Sequence, residues 1–160
     1  MLLLSQIGAT FTSLLLNSFL IWLIVNKSPK KLGRYRYLMI YTATFDIYYA
    51  LLGTVSNAAI FSHGYAVLVY RFYNGNSWFD RVFSIPLTIA YCGSFGMSMA
   101  CLAIHFVYRY GVTISDSPKK ITSGWRFTML FVAPGIYMLW WGSVAFFGCA
   151  PDQDSDDYLR

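Results

Sequence analysis

Residues 1–26, MLLLSQIGATFTSLLLNSFLIWLIVN, contain no charged side chain, and this run decides the class of fold. A helix rises 1.5 Å per residue, so about 20 apolar residues cross the roughly 30 Å of hydrocarbon in a bilayer. Three similar runs follow at 37–62, 82–108 and 127–151, and the single charged side chain within the four runs is Asp46. The chain is therefore predicted to be an integral membrane protein.

The composition supports a membrane location. Hydrophobic residues make up 57 % of the 160 residues and charged residues only 12 %, which leaves too little polar surface for a soluble domain of this size. We predict an all-α fold in which residues 1–160 form a single transmembrane bundle. Its four helices and its acidic extracellular tail are predicted at 7–26, 37–62, 82–108, 127–149 and 150–160.

The basic residues are distributed asymmetrically along the chain. They cluster in the connection between helices one and two and in that between helices three and four: Lys27, Lys30, Lys31, Arg34, Arg36, Arg109, Lys119, Lys120 and Arg126. Loops rich in Lys and Arg remain in the cytoplasm, so both chain ends are predicted outside. The first run lacks a basic n-region and a cleavage site, which favours a membrane helix over a signal peptide. Because topology accounts for the net charge of +5, no nucleic-acid partner is predicted.

One acid lies deep within a predicted helix. An aspartate at the bilayer centre costs roughly 2.5–3.5 kcal/mol on insertion scales, so Asp46 is expected to face protein or water and to have a partner. Asn17 of helix one lies at the same depth, roughly 13–14 Å from the cytoplasmic edge. We therefore predict a hydrogen-bonded contact between Asn17 and Asp46, direct or through water. The Ser and Thr residues of these helices are expected to act mainly as interhelical donors.

Helix three has two specialised faces. At 100° per residue its polar side chains share one stripe, and its small residues share the opposite stripe. The polar stripe comprises Tyr91, Ser94, Ser98, Cys101, His105 and Arg109. The stripe of small residues comprises Gly93, Gly96, Ala100 and Ala103. Small residues let helices approach closely, and polar residues avoid lipid. Helix three is therefore predicted to be a central helix with neighbours on both sides, in a bundle larger than this chain supplies.

No motif for a cofactor, a metal or a catalytic nucleophile is found. Cys92, Cys101 and Cys149 lack metal-ligand spacing, and the first two are interpreted as small core residues. With two histidines and no paired carboxylates in one membrane plane, the chain is not predicted to be an enzyme. The aspartates of the tail lack the glycine and the closing glutamate of an EF-hand loop, which indicates a solvated acidic segment.

Five pieces of sequence are informative together. They are Asn17, NKSPKKLGRYRYLMIYTATFDIYY at 26–49, HGYAVLVY at 63–70, YCGSFGMSMACLAIHFVYRY at 91–110 and APDQDSDDYLR at 150–160. In this order they resemble the nematode serpentine chemoreceptors of the Str superfamily, in its Str and Srj groups. The resemblance implies a seven-transmembrane receptor of the G-protein-coupled type, of which this chain would supply four helices of an incomplete bundle.

The resemblance also implies roles for individual polar residues. Asn17 and Asp46 correspond to the helix-one asparagine and helix-two aspartate of rhodopsin-like receptors, a polar centre tied to activation. Arg109 corresponds to the arginine that ends helix three and helps to govern G-protein coupling. His105 and Tyr110, beside it, belong to the same G-protein-side switch.

Two departures limit the resemblance. Tyr108 stands where rhodopsin-like receptors have an acid before the arginine, so any restraint on Arg109 must come from elsewhere. No cysteine lies at the outer start of helix three, so the usual disulfide to the second outer loop is also missing.

The resemblance implies partners and a location as well. The ligand would be an odorant or pheromone of unknown structure, and the intracellular partner a heterotrimeric G protein. Polarity and depth alone place the ligand near Asn57, Tyr91 and Ser94. The receptor would lie in the plasma membrane, in contact with its lipid bilayer, at the sensory cilia of chemosensory neurons.

Other functional classes remain open. A four-helix transporter or channel subunit could use Asp46 and His105 in an ion path. A non-signalling receptor fragment would contain the same four helices. A scaffold of the tetraspanin or claudin kind is disfavoured, because such proteins keep both termini inside and carry cysteines in their outer loops.

The sequon Asn26-Lys27-Ser28 tests the predicted topology. We expect no glycan there, because the positive-inside rule places it in the cytoplasm, whereas an acceptor sequon appended after Arg160 on a short spacer should be glycosylated. A mobility shift that is sensitive to endoglycosidase measures both sites in microsomes. Glycosylation of Asn26 without glycosylation of the appended site would show that the topology is the reverse of the predicted one.

Overall fold

The computed structural model describes residues 2–28, 32–56, 58–63, 66–71, 78–114 and 124–148. The elements in chain order are α1 (Leu2–Lys27), α2 (Tyr35–Ser56), β1 (Ala58–His63), β2 (Ala66–Arg71), α3 (Trp78–Ile114) and α4 (Trp125–Gly148). All four helices are long and apolar enough to cross a membrane. The predicted bundle of four transmembrane helices is therefore confirmed.

The helix boundaries differ from the predicted ones. The third helix is the longest, with 37 residues instead of the predicted 82–108. At 1.5 Å per residue it is about 55 Å long and extends beyond the hydrocarbon. The second helix begins at Tyr35 and not at residue 37, so the side chain of Tyr35 is part of the helix.

The predicted helix over 37–62 is wrong at its C-terminal end. It stops at Ser56, and Ala58–His63 forms a strand that pairs antiparallel with Ala66–Arg71. Ile60 pairs with Val69 and Phe61 with Leu68, residue types that favour strands. Hydropathy could not predict this strand, because an apolar segment has the same hydropathy whether it forms a helix or a strand.

The helices pack mainly in chain order, α1 on α2, α2 on α3 and α3 on α4. The first contact uses the hydroxyl of Thr10, which donates to the carbonyl oxygen of Ala50 at 3.2 Å and lies 2.6 Å from the hydroxyl of Thr54. This contact confirms the predicted interhelical role at Thr10.

The third helix lies between α2 and α4, as its two stripes predicted. Its polar stripe faces α2, where Tyr91 stacks on Tyr49 with ring centroids 5.4 Å apart and Cys101 is buried with Phe45. The burial of Cys101 confirms its interpretation as a core residue, whereas Cys92 is only half-buried and Cys149 lies outside the described residues.

The small stripe of α3 faces α4 at very short range. A Cβ added at Gly96 would lie 2.7 Å from Cβ and Cγ of Trp141, and one added at Gly93 would lie 2.9 Å from the carbonyl oxygen of Met138. Only glycine allows the two helices to approach this closely, which is the usual basis of tight packing in a membrane.

The helices α1 and α3 terminate at the same end of the bundle at which α2 and α4 begin. We name this end of the bundle the basic end. It carries Lys27, Arg34, Arg36, Arg109 and Arg126. Its apolar core is formed by three buried residues, Leu38, Ile104 and Tyr108, with partly buried aromatic residues of α2 and α4 around them. Three helices therefore meet here and fix the surroundings of the arginines.

Replacing Gly96 with alanine is expected to destabilise the α3–α4 contact. The added methyl group meets the Cβ of Trp141, which is close to the backbone and cannot move aside, so overpacking should cost about 1–3 kcal/mol. Unfolding by SDS in mixed micelles measures the loss. Gly135→Ala in α4 is the control, because nothing lies within 4 Å of its added Cβ. Equal stability of the two variants would contradict the role of Gly96.

Candidate functional site

The first turn of α2 brings a tyrosine hydroxyl to the C-terminal part of α3. Gly33 has a φ of 53°, in the left-handed region that favours glycine, and the helix begins two residues later at Tyr35. The Tyr35 hydroxyl lies 3.0 Å from Nδ1 of His105 and accepts a hydrogen bond from Nε of Arg109 at 3.2 Å. A short turn thus places one phenol against both of these α3 side chains.

The histidine also contacts a second residue of α2. Its Nε2 lies 3.2 Å from the hydroxyl of Thr42, which itself donates to backbone carbonyls one turn earlier, at Leu38 and Met39. Since that hydroxyl has one hydrogen and donates it to the backbone, it accepts from His105. We name the four residues Tyr35, Thr42, His105 and Arg109 the polar cluster.

The hydrogen-bond donors and acceptors of the polar cluster can be assigned by counting the hydrogens that each group carries. The arginine donates to the oxygen of Tyr35, so the single phenolic hydrogen is available for Nδ1 of His105. With Nε2–H donating to Thr42, this is a neutral histidine with its hydrogen on Nε2. Each of the hydrogen bonds that join His105 to Tyr35 and Thr42 then has one donor hydrogen and one acceptor, and this assignment rests on the hydrogen-bond pattern.

Ring contacts reinforce the same arrangement. The guanidinium carbon of Arg109 lies 5.5 Å from the centroid of the Tyr35 ring, within the range of a cation–π contact. The Tyr35 ring stacks on that of Tyr108 at 5.1 Å and meets the His105 ring edge-on at 5.5 Å. Tyr35 is therefore the shared partner of three α3 side chains.

A cavity of about 280 Å³ adjoins the polar cluster between α1, α2 and α3. The four cluster residues form its polar part, and its apolar part is formed by Leu20, Met39, Leu102 and Phe106. Arg109 is exposed at this opening, so its guanidinium is restrained by Tyr35 but accessible from outside the bundle.

The structure brings together two of the three residues predicted for the G-protein-side switch. His105 and Arg109 belong to the polar cluster, one helical turn apart. Tyr110 is 69 % exposed and lies on another side of α3. Arg109 contacts the neighbouring helix at Tyr35, whose hydroxyl accepts a hydrogen bond from its Nε.

The predicted direct bond between Asn17 and Asp46 is absent from the hydrogen bonds of the described chain. The amide of Asn17 donates within α1, to the carbonyl and hydroxyl oxygens of Ser13 at 3.0 and 3.1 Å. Asp46 is exposed in this four-helix unit, one turn from Thr42, and interacts electrostatically with His105. A water-mediated contact with Asn17 stays a prediction.

The structure describes two of the three predicted ligand contacts, Tyr91 and Ser94. Tyr91 stacks on Tyr49, and Ser94 is completely buried, with its hydroxyl donating to the carbonyl oxygen of Ala90 at 2.7 Å. Asn57 lies outside the described residues. In the described part of the chain no group of His, Cys, Asp or Glu side chains is arranged to hold a metal ion.

Sequence reasoning missed Tyr35, the residue with most contacts in the cluster. The predicted helix began at residue 37 and left Tyr35 in the loop. A signal was present, because Tyr35 and Thr42 are seven residues apart and share one helix face if the helix begins earlier. The apolar run alone could not indicate that earlier start.

Comparison with known proteins identifies the family. The family model described as serpentine type 7TM GPCR chemoreceptor Str matches residues 3–160. The chain belongs to the Str family of serpentine receptors. It is a multi-pass membrane protein, and the relatives it matches are themselves named as receptors.

Two Str-type and Srj-type relatives illustrate the similarity. The Caenorhabditis elegans G-protein coupled receptor str-217 is 31 % identical over 98 % of this chain and 45 % of its own length. The serpentine receptor class J-38 of the same organism is 24 % identical over 90 % of this chain and 43 % of its own length. The chain thus spans just under half the length of these relatives. No solved structure matches it.

Removing the Tyr35 hydroxyl is expected to disturb His105 specifically. In Tyr35→Phe the ring remains but Nδ1 loses its donor, so the ¹⁵N resonances of the His105 imidazole should shift. The loss of the two hydrogen bonds of this hydroxyl, with His105 and Arg109, should also lower stability by about 1–2 kcal/mol. Nuclear magnetic resonance of ¹⁵N-histidine-labelled protein in nanodiscs measures the shift, with His63 as an internal reference.

Tyr37→Phe is the matched control for this experiment. Tyr37 lies two residues after Tyr35, on a different face of α2, is half-exposed and accepts a hydrogen bond from Arg36 instead of contacting His105. Identical histidine spectra for wild type and Tyr35→Phe would contradict the assigned bond.

Proposed function

We propose that this chain forms the first four helices of a chemosensory receptor that detects a small molecule at its outer side and couples to a heterotrimeric G protein at its basic end. The observation that carries the proposal is the polar cluster, which holds an exposed arginine of α3 against Tyr35 of α2. Membership of the Str family supplies the class of receptor.

The proposed orientation follows from the basic residues. Both connections at the basic end lie in the cytoplasm, the N-terminus is extracellular, and the protein lies in the plasma membrane of sensory cilia. The opposite end of the bundle carries the β1–β2 hairpin, so Arg109 faces the compartment in which a G protein is found. The positive-inside rule supports this choice.

In this proposal Tyr35 restrains Arg109, as the acid before the arginine does in rhodopsin-like receptors. Separation of the end of α3 from α2 would break both contacts of Arg109 with Tyr35, the hydrogen bond and the cation–π contact. The released guanidinium would then be available to a protein partner. We propose that His105 and Tyr110 contribute to the same surface, His105 by fixing the phenol and Tyr110 by direct contact.

Asp46 is proposed to connect this switch to the centre of the membrane. Asp46 lies within electrostatic range of His105, and from His105 a series of contacts leads through Tyr35 to Arg109. Asn17 completes the polar centre, in this proposal through water. A change in the charge of Asp46 would act electrostatically on His105, which contacts Tyr35 and through it Arg109.

The ligand is proposed to bind between the outer halves of the helices. Tyr91, in its stack with Tyr49, is the most suitable of the predicted contacts, and Asn57 follows the end of α2. Ser94 is completely buried, so it would reach a ligand only after the helices separate.

A transporter or channel subunit receives less support. A proton or ion path through Asp46 and His105 needs a wet route on the outer side of Asp46. In the described residues that region is occupied by the stacked rings of Phe45, Tyr49 and Tyr91 and by buried Ser94.

The test begins with the transcript, read in frame beyond Arg160, and uses the full product that it encodes. Basal nucleotide exchange on G proteins is measured in membranes, because no ligand is needed. Arg109→Ala is expected to abolish it. Tyr35→Phe should raise it about fivefold, since loss of a restraint of about 1 kcal/mol shifts a two-state equilibrium by that factor.

Tyr37→Phe should leave the exchange rate unchanged. Normal exchange in Arg109→Ala, at wild-type surface expression, would reject the proposed switch. A stop codon directly after Arg160 would instead favour the non-signalling receptor fragment.

A further inference from the structure

A second opening lies at the basic end, on a different face of α2 from the polar cluster. It is a groove of about 580 Å³ between α2 and α4, and the proposed receptor function does not use it. Six residues line it: Arg34, Tyr37, Ile40, Tyr41, Phe127 and Phe131. Five of the six offer rings or an aliphatic chain, and the sixth is cationic.

The base of the groove is fixed by contacts between the two helices. The hydroxyl of Tyr41 donates to the carbonyl oxygen of Phe131 at 3.1 Å, and their rings meet edge-on at 5.2 Å. Phe127 packs edge-on against Phe131 at 5.1 Å. These contacts tie α2 to α4 below the opening, so the groove is part of the packed structure.

One end of the groove is strongly basic. The guanidinium carbon of Arg34 lies 5.7 Å from the centroid of the Phe127 ring. That of Arg36 lies 4.8 Å from the Tyr37 ring, and Arg36 also donates to the Tyr37 hydroxyl at 2.9 Å. Both arginines are exposed and flank the start of the membrane span at Tyr35, at the level of lipid headgroups.

The segment that leads into α2 is rich in basic residues. The segment 27–36 contains Lys27, Lys30, Lys31, Arg34 and Arg36 and no aspartate or glutamate. Guanidinium groups suit phosphate because their planar N–H donors match its oxygens two at a time. An anionic ligand with an apolar body therefore complements both the charge and the lining of the groove.

We propose that this groove binds one anionic phospholipid. An acyl chain lies against Tyr37, Ile40 and Phe131, and the headgroup phosphate receives hydrogen bonds from Arg34 and Arg36. Anionic lipids are enriched in the cytoplasmic leaflet and attract basic residues at membrane surfaces. The proposal requires the membrane bundle but no G protein, so it can fail while the proposed receptor function stands.

The test uses the purified 160-residue chain in detergent and native mass spectrometry. Dioleoyl phosphatidylserine and dioleoyl phosphatidylcholine have the same acyl chains and are titrated separately. Two arginines near the surface should give phosphatidylserine a preference on the order of tenfold. The double variant Arg34→Gln, Arg36→Gln should reduce this preference to about twofold or less.

Two further variants separate the groove from general surface charge. Arg126→Gln removes a basic residue of the same end that does not line the groove, and it should keep the preference. Ile40→Trp fills the groove with its arginines intact and should weaken binding of both lipids several-fold. Circular dichroism on heating verifies that each variant is folded.

Three results would overturn the proposal. Equal affinity of the wild-type chain for the two lipids would exclude selection of an anionic headgroup, and this comparison needs no variant. A loss of preference in Arg126→Gln as large as in the double variant would indicate general attraction to the basic end. Unchanged binding in Ile40→Trp would place the lipid elsewhere on the bundle.

Discussion

The close approach of α3 to α4 is the constraint on which the rest of the bundle depends. Lipid is as apolar as the helices, so burial of apolar surface gives little drive for them to associate, and short-range packing must supply it. Gly93 and Gly96 permit that packing, because any side chain there would meet the backbone of Met138 or the Cβ of Trp141. With one face of α3 committed to α4, its polar face is turned towards α2. The position of His105 and Arg109 therefore follows from two missing side chains on the opposite face of the same helix.

The contact between α2 and α3 changes in character along its length. Away from the basic end it consists of stacked rings and buried core residues such as Phe45 and Cys101, and at the basic end it becomes a directed series of hydrogen bonds. Aromatic stacking tolerates small shifts, whereas a hydrogen bond weakens steeply with distance and angle. The basic end is thus the part of this contact that is most sensitive to a small rotation of α3. Two openings flank α2 at this end, and their linings differ. The cavity on one face is lined in part by the polar cluster, and the groove on the other face is mainly aromatic.

Much of this architecture could be predicted from sequence, because each successful prediction rested on a strong physical preference. Four long runs with Asp46 as their single charged side chain indicated the spans, and the two stripes of α3 indicated its central place between two neighbours. The β1–β2 hairpin could not be predicted in the same way, since hydropathy does not distinguish an apolar strand from a helix end. The direct Asn17–Asp46 hydrogen bond is absent because equal depth says nothing about local competition, and the amide of Asn17 finds acceptors one turn away at Ser13. Tyr35 was missed because a shift of two residues at a helix start lies within the uncertainty of any such boundary.

The position of Tyr35 directly after a glycine turn limits which changes in chain length the protein can accept. Insertion or deletion of one residue between Gly33 and Tyr35 would displace the phenol by up to about 3.8 Å, the spacing of consecutive Cα atoms. That displacement exceeds the 3.0 and 3.2 Å contacts with His105 and Arg109. Connections between helices are places where proteins usually tolerate altered length. Here the turn at Gly33 sets the position of the Tyr35 phenol, so changes in length are expected to be tolerated only before Gly33.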